Sequence, residues 1–126
     1  MNFAILLLAL IIKESSNNPP PLPGDNGKAI GILQIHACVI ADVNTFYHTK
    51  YTWPESAENP DDSRDICVKY LSHYCTQARL GHEPTFEDES RVWNGGPNGY
   101  KKPATINYWN DVKKNIDKIT KSNRIS

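Results

Sequence analysis

An uninterrupted apolar run near the start of the chain, from Ala4 to Ile12, dominates the sequence. Nine residues without a charge lead to Lys13 and Glu14, and three prolines at positions 19–21 follow shortly afterwards. Proline cannot continue a helix, and it biases the residue before it away from helical geometry. The run therefore predicts a helix that ends just past Glu14. Because a helix that is apolar on every side is buried in a core or in a membrane, this helix is expected to be shielded from water.

Glu14 is the only carboxylate of this stretch, and it follows a wall formed by Leu7, Leu10 and Ile11. Burial raises the pKa of such a carboxyl group, and so does the negative end of the helix dipole. A carboxylic acid that keeps its proton near neutral pH can protonate a leaving group. The sequence therefore makes Glu14 a candidate general acid. The alternative interpretation is that Glu14 only caps the helix and points into water.

The apolar run also raises the question of a signal peptide or a membrane helix. No basic residue stands among Met1, Asn2 and Phe3, and no small-residue cleavage site follows the run. A spanning helix needs about 20 apolar residues, which is more than this run supplies. We therefore predict a core helix without stable membrane insertion, while uncleaved export remains an open alternative.

The composition limits both the size and the partners of the protein. Its 126 residues predict a single domain over 1–126, with a core over about 3–119 and a tail over about 120–126. Basic and acidic residues number 14 each, so the formal net charge is zero, which argues against a nucleic-acid partner held by bulk charge. The chain contains no zinc spacing, P-loop or dinucleotide fingerprint, and its four histidines share no ligand pattern. No cofactor and no metal are predicted.

The three cysteines, Cys38, Cys67 and Cys75, are an odd number at spacings that match no metal motif. Cys67 and Cys75 would lie about 12 Å apart along a helix, which is too far for a disulfide. We interpret all three as buried or inert thiols, as is typical of a protein made in a reducing compartment.

The rest of the chain alternates between loops rich in helix breakers and segments with helical spacing. Loops are predicted over 17–28 and 48–62, and Trp53 in the second loop either packs it down or faces a ligand. Helices are predicted over His36 to Tyr47 and from Asp62 or Ser63 to Gly81. A third helix is predicted after the Thr85–Asp88 capping pair. The last runs from about Ala104 to Thr120, and its predicted inward residues are Ile106, Trp109, Val112, Ile116 and Ile119. The predicted fold class is a mainly α, compact domain of about five helices whose loops flank a groove.

Three separated segments, taken in order, carry a family resemblance. They are Glu14-Ser15 at a helix end, the stretch Ala29-Ile-Gly-Ile-Leu-Gln-Ile35, and Trp93-Asn-Gly-Gly-Pro97 followed by Tyr108-Trp109 and Val112. This order resembles the soluble lytic transglycosylase domain of the lysozyme superfamily, which also holds the goose-type lysozymes. The chain departs from that pattern at Leu33, where the family has Met, and at Trp93, where it usually has Tyr.

The resemblance implies a helical lysozyme-like fold with a glycan-binding cleft. It also implies a substrate, the β-1,4 bond between N-acetylmuramic acid and N-acetylglucosamine in peptidoglycan, and action at the bacterial cell wall, as a monomer. The implied catalytic acid and base is Glu14. The other implied positions share contact with the glycan or with the acid: Ser15 and Gln34 lining the cleft, Gly31 admitting the glycan to the backbone, Asn94 in a flanking loop and Tyr108 orienting Glu14.

The reaction type depends on whether a second carboxylate is present. Ordinary glycosidases use two carboxylates. Asp25 is the best candidate for the second, as in a goose-type muramidase that hydrolyses the bond, although Asp25 beside Gly24 and Asn26 is also a typical turn-forming residue. With Glu14 alone, the C6 hydroxyl of the sugar would close a 1,6-anhydro ring, which is lytic transglycosylation, and this single-acid route is the reaction we predict.

Aromatic residues near the loops suggest further contacts with sugars. Tyr100 stands beside Gly99 and two lysines, so it is predicted to be exposed and to stack on the glycan. The competing interpretation of the whole chain is a lysozyme-like module that holds a glycan or a partner without cutting.

Overall fold

The computed structural model describes residues 3–16 and 21–125. The described chain is mainly helical, which confirms the predicted fold class, and it contains two isolated β-bridges but no strand. Five helices have ten residues or more, and two have four. In chain order the helices are α1 (Phe3–Ser15), α2 (Ala37–Tyr47), α3 (Glu55–Glu58), α4 (Pro60–Tyr74), α5 (Gln77–Leu80), α6 (Phe86–Gly95) and α7 (Ile106–Ile125).

The chain divides into two compact units. The first unit contains the chain up to residue 13 and from residue 74 onward, and the second contains residues 14–73. The division falls inside α1 and α4. The prediction of a single domain over 1–126 stays a prediction.

Helix α1 is the buried apolar helix of the first unit. Leu6, Ala9, Leu10 and Ile11 are at most 2% exposed. The amide of Asn115 in α7 donates to the carbonyl oxygen of Ala9 at 3.2 Å, and this bond fixes the two helices to each other. None of the described helices is both long enough and apolar enough to cross a membrane. Within α1 the buried residues form one face, whereas Leu8 is 38% exposed, so the expectation that the whole helix is shielded from water is met on one side only.

Helix α6 packs against α7 in the same unit, with Val92 and Val112 fully buried. The predicted capping box at the start of α6 is confirmed, because the Thr85 hydroxyl accepts from the backbone N–H of Asp88 while the Asp88 carboxylate accepts from that of Thr85. Such a box satisfies two backbone donors that would otherwise lack partners.

The second unit is built from α2, α3 and α4 around the turns that precede α2. Its core residues, each 5% exposed or less, are Leu33, Ile35, Ile40, Val43, Ala57, Ile66, Cys67, Tyr70 and Leu71. The predicted loop over 17–28 is described only from Pro21 onward, and its first four residues lie outside the described residues. From there the chain forms a 3₁₀ turn, Asp25–Gly27, and two bridged turns.

Several predicted helix ends were wrong. Helix α4 begins at Pro60 rather than at Asp62, since proline is well tolerated in the first helical turn. It ends at Tyr74 rather than at Gly81, because Thr76 starts a new helix by accepting from the backbone N–H of Arg79. Gly81, with φ of 84°, ends that short helix, α5, instead.

Helix α7 also differs from the prediction. It begins at Ile106, and Ile106 is 45% exposed instead of pointing inward, whereas Tyr108 is buried. The predicted tail from Thr120 is helical through Ile125. Among the cysteines, Cys67 and Cys75 are buried as predicted, but Cys38 is exposed on the first turn of α2.

Candidate functional site

Glu14 lies half-buried in the last turn of α1, three residues after the buried Ile11. The hydroxyl of its neighbour Ser15 donates to the carbonyl oxygen of Ile32 at 2.9 Å. Ser16 then adopts a left-handed φ of 54°, which ends the helix. The end of α1 is therefore tied to the turn over 30–35. The expectation that the pKa of Glu14 is raised stays a prediction.

Residues 24–35 form two consecutive tight turns. Gly24 and Ala29 exchange backbone hydrogen bonds of 2.9 and 3.0 Å, and Ile30 and Ile35 exchange a second pair of 3.2 and 2.8 Å. The chain thus doubles back twice, and it leaves Gly24 and Ile35 at the two ends of a short, closed segment. This segment carries Asp25 and Gln34, two of the residues singled out from the sequence.

The side chain of Gln34 forms hydrogen bonds to the backbone within this segment and just before it. Its side-chain amide donates to the carbonyl oxygen of Gly31 at 2.9 Å and to that of Leu22 at 3.1 Å. A Cβ atom at Gly24 would lie 2.4 Å from the Gln34 amide oxygen, so any larger residue there would displace the Gln34 side chain. Because Nε2 carries only two hydrogens, both are committed to the backbone. The proposed contact of Gln34 with a glycan must therefore use its oxygen or displace one of these bonds.

Gly31 is required by a close contact within the second unit. Its φ is +82°, and a Cβ atom built on it would lie 1.9 Å from the carbonyl oxygen of Ala57 in α3. The same corner is braced by Trp53, whose indole N–H donates to the carbonyl oxygen of Ile35 at 3.0 Å. Of the two interpretations of Trp53, the structure supports the one in which it packs its loop down.

Asp25 is exposed on the 3₁₀ turn, with a left-handed φ of 51°. Its Oδ2 lies 3.4 Å from Nε2 of His36, the residue that precedes α2. The two bridged turns bring these residues together although they are eleven positions apart. The candidate second carboxylate therefore has a histidine beside it.

A cavity of about 260 Å³ opens on the same segment, lined by Pro21, Pro23, Ile30, Gly31 and Glu58. Glu58 was not predicted as a site residue. It stands in a segment interpreted as a surface loop, and no spacing there distinguishes it from other exposed acids.

The remaining predicted residues belong to the first unit. Asn94 is exposed in the last turn of α6, next to Gly95, whose carbonyl oxygen accepts from the Lys102 ammonium at 2.8 Å. Tyr100 is half-buried, so it is less exposed than predicted. Its hydroxyl donates to the carbonyl oxygen of Arg79 at 3.4 Å. Tyr108 is only 8% exposed, and the Lys13 ammonium lies 5.7 Å from its ring centre.

The sequence-predicted residues thus fall into two groups. Glu14, Ser15, Asp25, Gly31 and Gln34 lie in the second unit, and Asn94, Tyr100 and Tyr108 lie in the first.

Glu89 in α6 is a buried acid that was not predicted from the sequence. It is 2% exposed, and its Oε1 has no hydrogen-bond partner among the described residues. Burial raises the pKa of Glu89 to about 7; the positive charge of the amino terminus opposes this shift, and the neighbouring Asp88 adds to it. A signal existed, since Glu89 stands three residues after Phe86 and three before Val92, on the apolar face of the helix.

Cys75 lies close to this acid. Burial raises the pKa of its thiol to about 12, helped by the charges of Glu89 and Asp88 and opposed by that of Arg79. The thiol is therefore protonated at neutral pH. Among the residues that the structure describes, no group of three His, Cys, Asp or Glu side chains has a geometry that holds a metal ion.

Comparison with known proteins points to lysozymes. No family model matches the chain. A curated protein, invertebrate-type lysozyme 6 of Caenorhabditis elegans, is 33% identical over 61 residues, which are 48% of this chain and 44% of that relative. The matched stretch therefore spans less than half of the relative's length.

A solved structure extends the likeness to most of the chain. A chain in the crystal structure of Aeromonas hydrophila PliI in complex with Meretrix lusoria lysozyme matches with a TM-score of 0.74 and 27% identity, over 88% of each chain. Together the two comparisons support a fold of the lysozyme-like or lysozyme-inhibitor kind, which agrees with the resemblance in part. Neither comparison singles out soluble lytic transglycosylases or goose-type lysozymes.

Proposed function

We propose that this chain is a lysozyme-type glycosidase that cleaves the β-1,4 bond between N-acetylmuramic acid and N-acetylglucosamine in peptidoglycan. The observation that carries the proposal is the position of Glu14, half-buried at the end of a buried apolar helix and tied through Ser15 to the turn over 30–35. The likeness to an invertebrate-type lysozyme supports it. The wall of a bacterial cell is then the place of action, and a monomer is sufficient for the reaction.

In this proposal Glu14 protonates the glycosidic oxygen as the bond breaks. The proposal requires the half-buried Glu14 to hold its proton, since only the neutral acid can protonate the leaving group. The Ser15 hydrogen bond limits how far the end of α1 can move from the glycan. Positioned proton transfer of this kind contributes roughly 10²–10⁴ to the rate.

Asp25 is the proposed second carboxylate, which activates water. It is exposed to solvent, so water can reach its carboxylate. His36, 3.4 Å away, restricts the orientation of the Asp25 carboxylate. Hydrolysis through two carboxylates agrees with the lysozyme name of the curated relative, and we now favour it over the single-acid route. Transglycosylation by Glu14 alone would instead leave 1,6-anhydro ends.

The second candidate function is a non-catalytic lysozyme-like module. It is favoured by one observation, namely that the matched structure is a complex between a lysozyme and PliI. In this second function the chain binds a protein partner, and the face that contacts the partner does not need Glu14.

The test is a soluble-product assay on purified peptidoglycan. We expect Glu14→Gln to bind peptidoglycan as the parent chain does but to release product at least about 100-fold more slowly. Glu83→Gln, a change at an exposed loop residue, is the matched control and should retain full activity. Mass spectrometry of the products separates hydrolysed from anhydro ends. Equal activity of Glu14→Gln and the parent chain would refute the proposal.

A further inference from the structure

The cavity beside the bridged turns is lined mainly by apolar residues and carries one charged side chain among the described residues. Pro21, Pro23 and Ile30 supply apolar surface, Gly31 supplies backbone, and Glu58 is the ionisable side chain in this described part of the lining. Sites for drug-sized ligands occupy roughly 300–1,000 Å³, so a cavity of about 260 Å³ suits a single sugar ring or one substituent. The chemistry of Glu58 therefore decides what the cavity prefers.

The carboxylate of Glu58 is available to a ligand. Among residues 3–16 and 21–125, no donor hydrogen-bonds to it and no cation pairs with it. The segment 51–63 contains Glu55, Asp61 and Asp62 and no lysine or arginine, and Lys50 and Arg64 flank it. A carboxylate that pairs with no cation among the described residues favours a cationic group on whatever enters the cavity.

The walls of the cavity are held in place before any ligand binds. Gln34 bonds to the carbonyl oxygen of Leu22, between Pro21 and Pro23, and also to that of Gly31. Gly31 in turn abuts Ala57, the residue before Glu58. Proline has a fixed φ, so the opposite wall is stiff too. A site that is already ordered loses little entropy on binding.

We propose that this cavity is a subsite for a primary ammonium group of the glycan substrate, with the carboxylate of Glu58 as its counter-ion. The inference rests on the proposed function, which supplies the glycan. Two sources carry this chemistry, namely a glucosamine unit that has lost its acetyl group and the free amine of a diamino acid in a peptide stem. Glu58 makes the chain prefer ligands that carry the ammonium group, and Glu14 remains the acid that takes part in the reaction.

The expected preference for the amine-bearing ligand is small because Glu58 is exposed to solvent. Ion pairs at exposed sites contribute at most about 1 kcal/mol, so the preference for the amine-bearing ligand is about two- to fivefold. Because salt screens such pairs, the preference should shrink as ionic strength rises from 0.05 to about 0.5 M.

The first experiment measures binding directly, by calorimetry, with oligosaccharides of glucosamine and of N-acetylglucosamine. The parent chain should bind the glucosamine oligomer about two- to fivefold more tightly than Glu58→Gln does. Both chains should bind the acetylated oligomer equally. Glu55→Gln lies on the same short helix but outside the cavity lining, so it should behave as the parent chain. Equal affinity of Glu58→Gln and the parent chain for the glucosamine oligomer would overturn the sugar-amine source.

The second experiment uses peptidoglycan with stems, before and after chemical acetylation of the stem amines. If the stem amine is the occupant, acetylation should remove the difference between the parent chain and Glu58→Gln. No dependence on Glu58 in either experiment overturns the inference. Because binding is measured without turnover, an inactive parent chain that still prefers the amine would refute the proposed reaction and leave the subsite standing.

Discussion

The hydroxyl of Ser15 donates a hydrogen bond of 2.9 Å to the carbonyl oxygen of Ile32. This bond joins the last turn of α1, which presents Glu14, to the segment of two bridged turns that carries Asp25 and Gln34. The proposed acid and the proposed second carboxylate therefore belong to elements that one side chain holds together. Their relative position depends on this bond.

Removing the bond should loosen the proposed site. Ser15→Ala leaves the Ile32 carbonyl without its partner, and the loss of one such bond costs about 1 kcal/mol of unfolding free energy. Activity on peptidoglycan should fall further than this modest loss explains, since Glu14 is then less well positioned. Urea unfolding and product release measure the two effects. Ser72→Ala, at an exposed position in α4, should change neither. If Ser15→Ala matches Ser72→Ala in both assays, the bond does not position Glu14.

Two glycines with nearly equal φ angles allow a matched test of close packing. Gly31 and Gly27 have φ of +82° and +86°, but only Gly31 has an atom in the way, since its Cβ would lie 1.9 Å from the Ala57 carbonyl oxygen. Gly27→Ala should cost about 1–2 kcal/mol for the left-handed conformation alone. Gly31→Ala should cost clearly more, because α3 must also move. Comparable midpoints of urea denaturation for the two variants would contradict the close contact.

Stability should depend on pH through Glu89. Its pKa rises from an ordinary value of 4.5 to about 7 in the folded chain, chiefly through burial, so the folded state favours the protonated form. The stabilisation is therefore complete below about pH 4.5 and is lost as the pH rises toward 7, by roughly 3 kcal/mol in all. The Asp88 carboxylate and the amino-terminal charge act on the same group, and Cys75 lies beside it with its thiol protonated.

Glu89→Gln tests this dependence, since glutamine cannot ionise. At pH 8 the variant should be more stable than the parent chain by up to about 3 kcal/mol, and near pH 4 the two should be similar. Thermal unfolding across pH 4–8 gives both numbers. Glu83→Gln, at an exposed loop residue, should follow the parent curve. A Glu89→Gln curve parallel to that of the parent chain would show that Glu89 does not bind a proton in this range.

The thiols should differ in reactivity. Cys38 is exposed, whereas Cys67 and Cys75 are buried, and burial raises the pKa of the Cys75 thiol to about 12. Because the thiolate is the reactive form, Cys75 should resist alkylation even when it becomes briefly accessible. Mass spectrometry after brief treatment with iodoacetamide at pH 8 should find one label on the native chain and three in denaturant. Rapid labelling of Cys75 in the native chain would contradict its burial.

Local sequence patterns predicted the elements whose cause lies within one or two turns. The run from Ala4 to Ile12 predicted a helix, and the structure forms it and buries one of its faces, although Leu8 is 38% exposed. The Thr85–Asp88 pair predicted the start of α6, because a capping box is a contact between residues three apart. The end of α4 was missed, since nothing in the periodicity separates one helix ending at Gly81 from two helices divided at Cys75 and Thr76.

In the proposed site, too, the sequence identified residues, whereas the contacts of those residues became known only from the fold. The sequence singled out Glu14, Gly31 and Gln34 as residues of unusual type for their surroundings and Asp25 as the best candidate second carboxylate, and all four lie in the second unit. What Gly31 and Gln34 do there was not predictable from the sequence. Gly31 makes room for Ala57, and Gln34 ties Leu22 to Gly31, and each of these contacts depends on how the turns fold back on one another.

By itself the sequence determined a helical chain with one acid at the end of a buried apolar helix, because hydrophobic spacing and capping act between near neighbours. Only the tertiary structure decided that Glu58 shares a cavity with Gly31 and that Glu89 is buried, with no partner for its Oε1 in the part of the chain that the structure describes. The physical reason is that the burial of a charge is a property of everything packed around it. Those neighbours come from distant parts of the chain, whose spacing in the sequence carries no record of the contact.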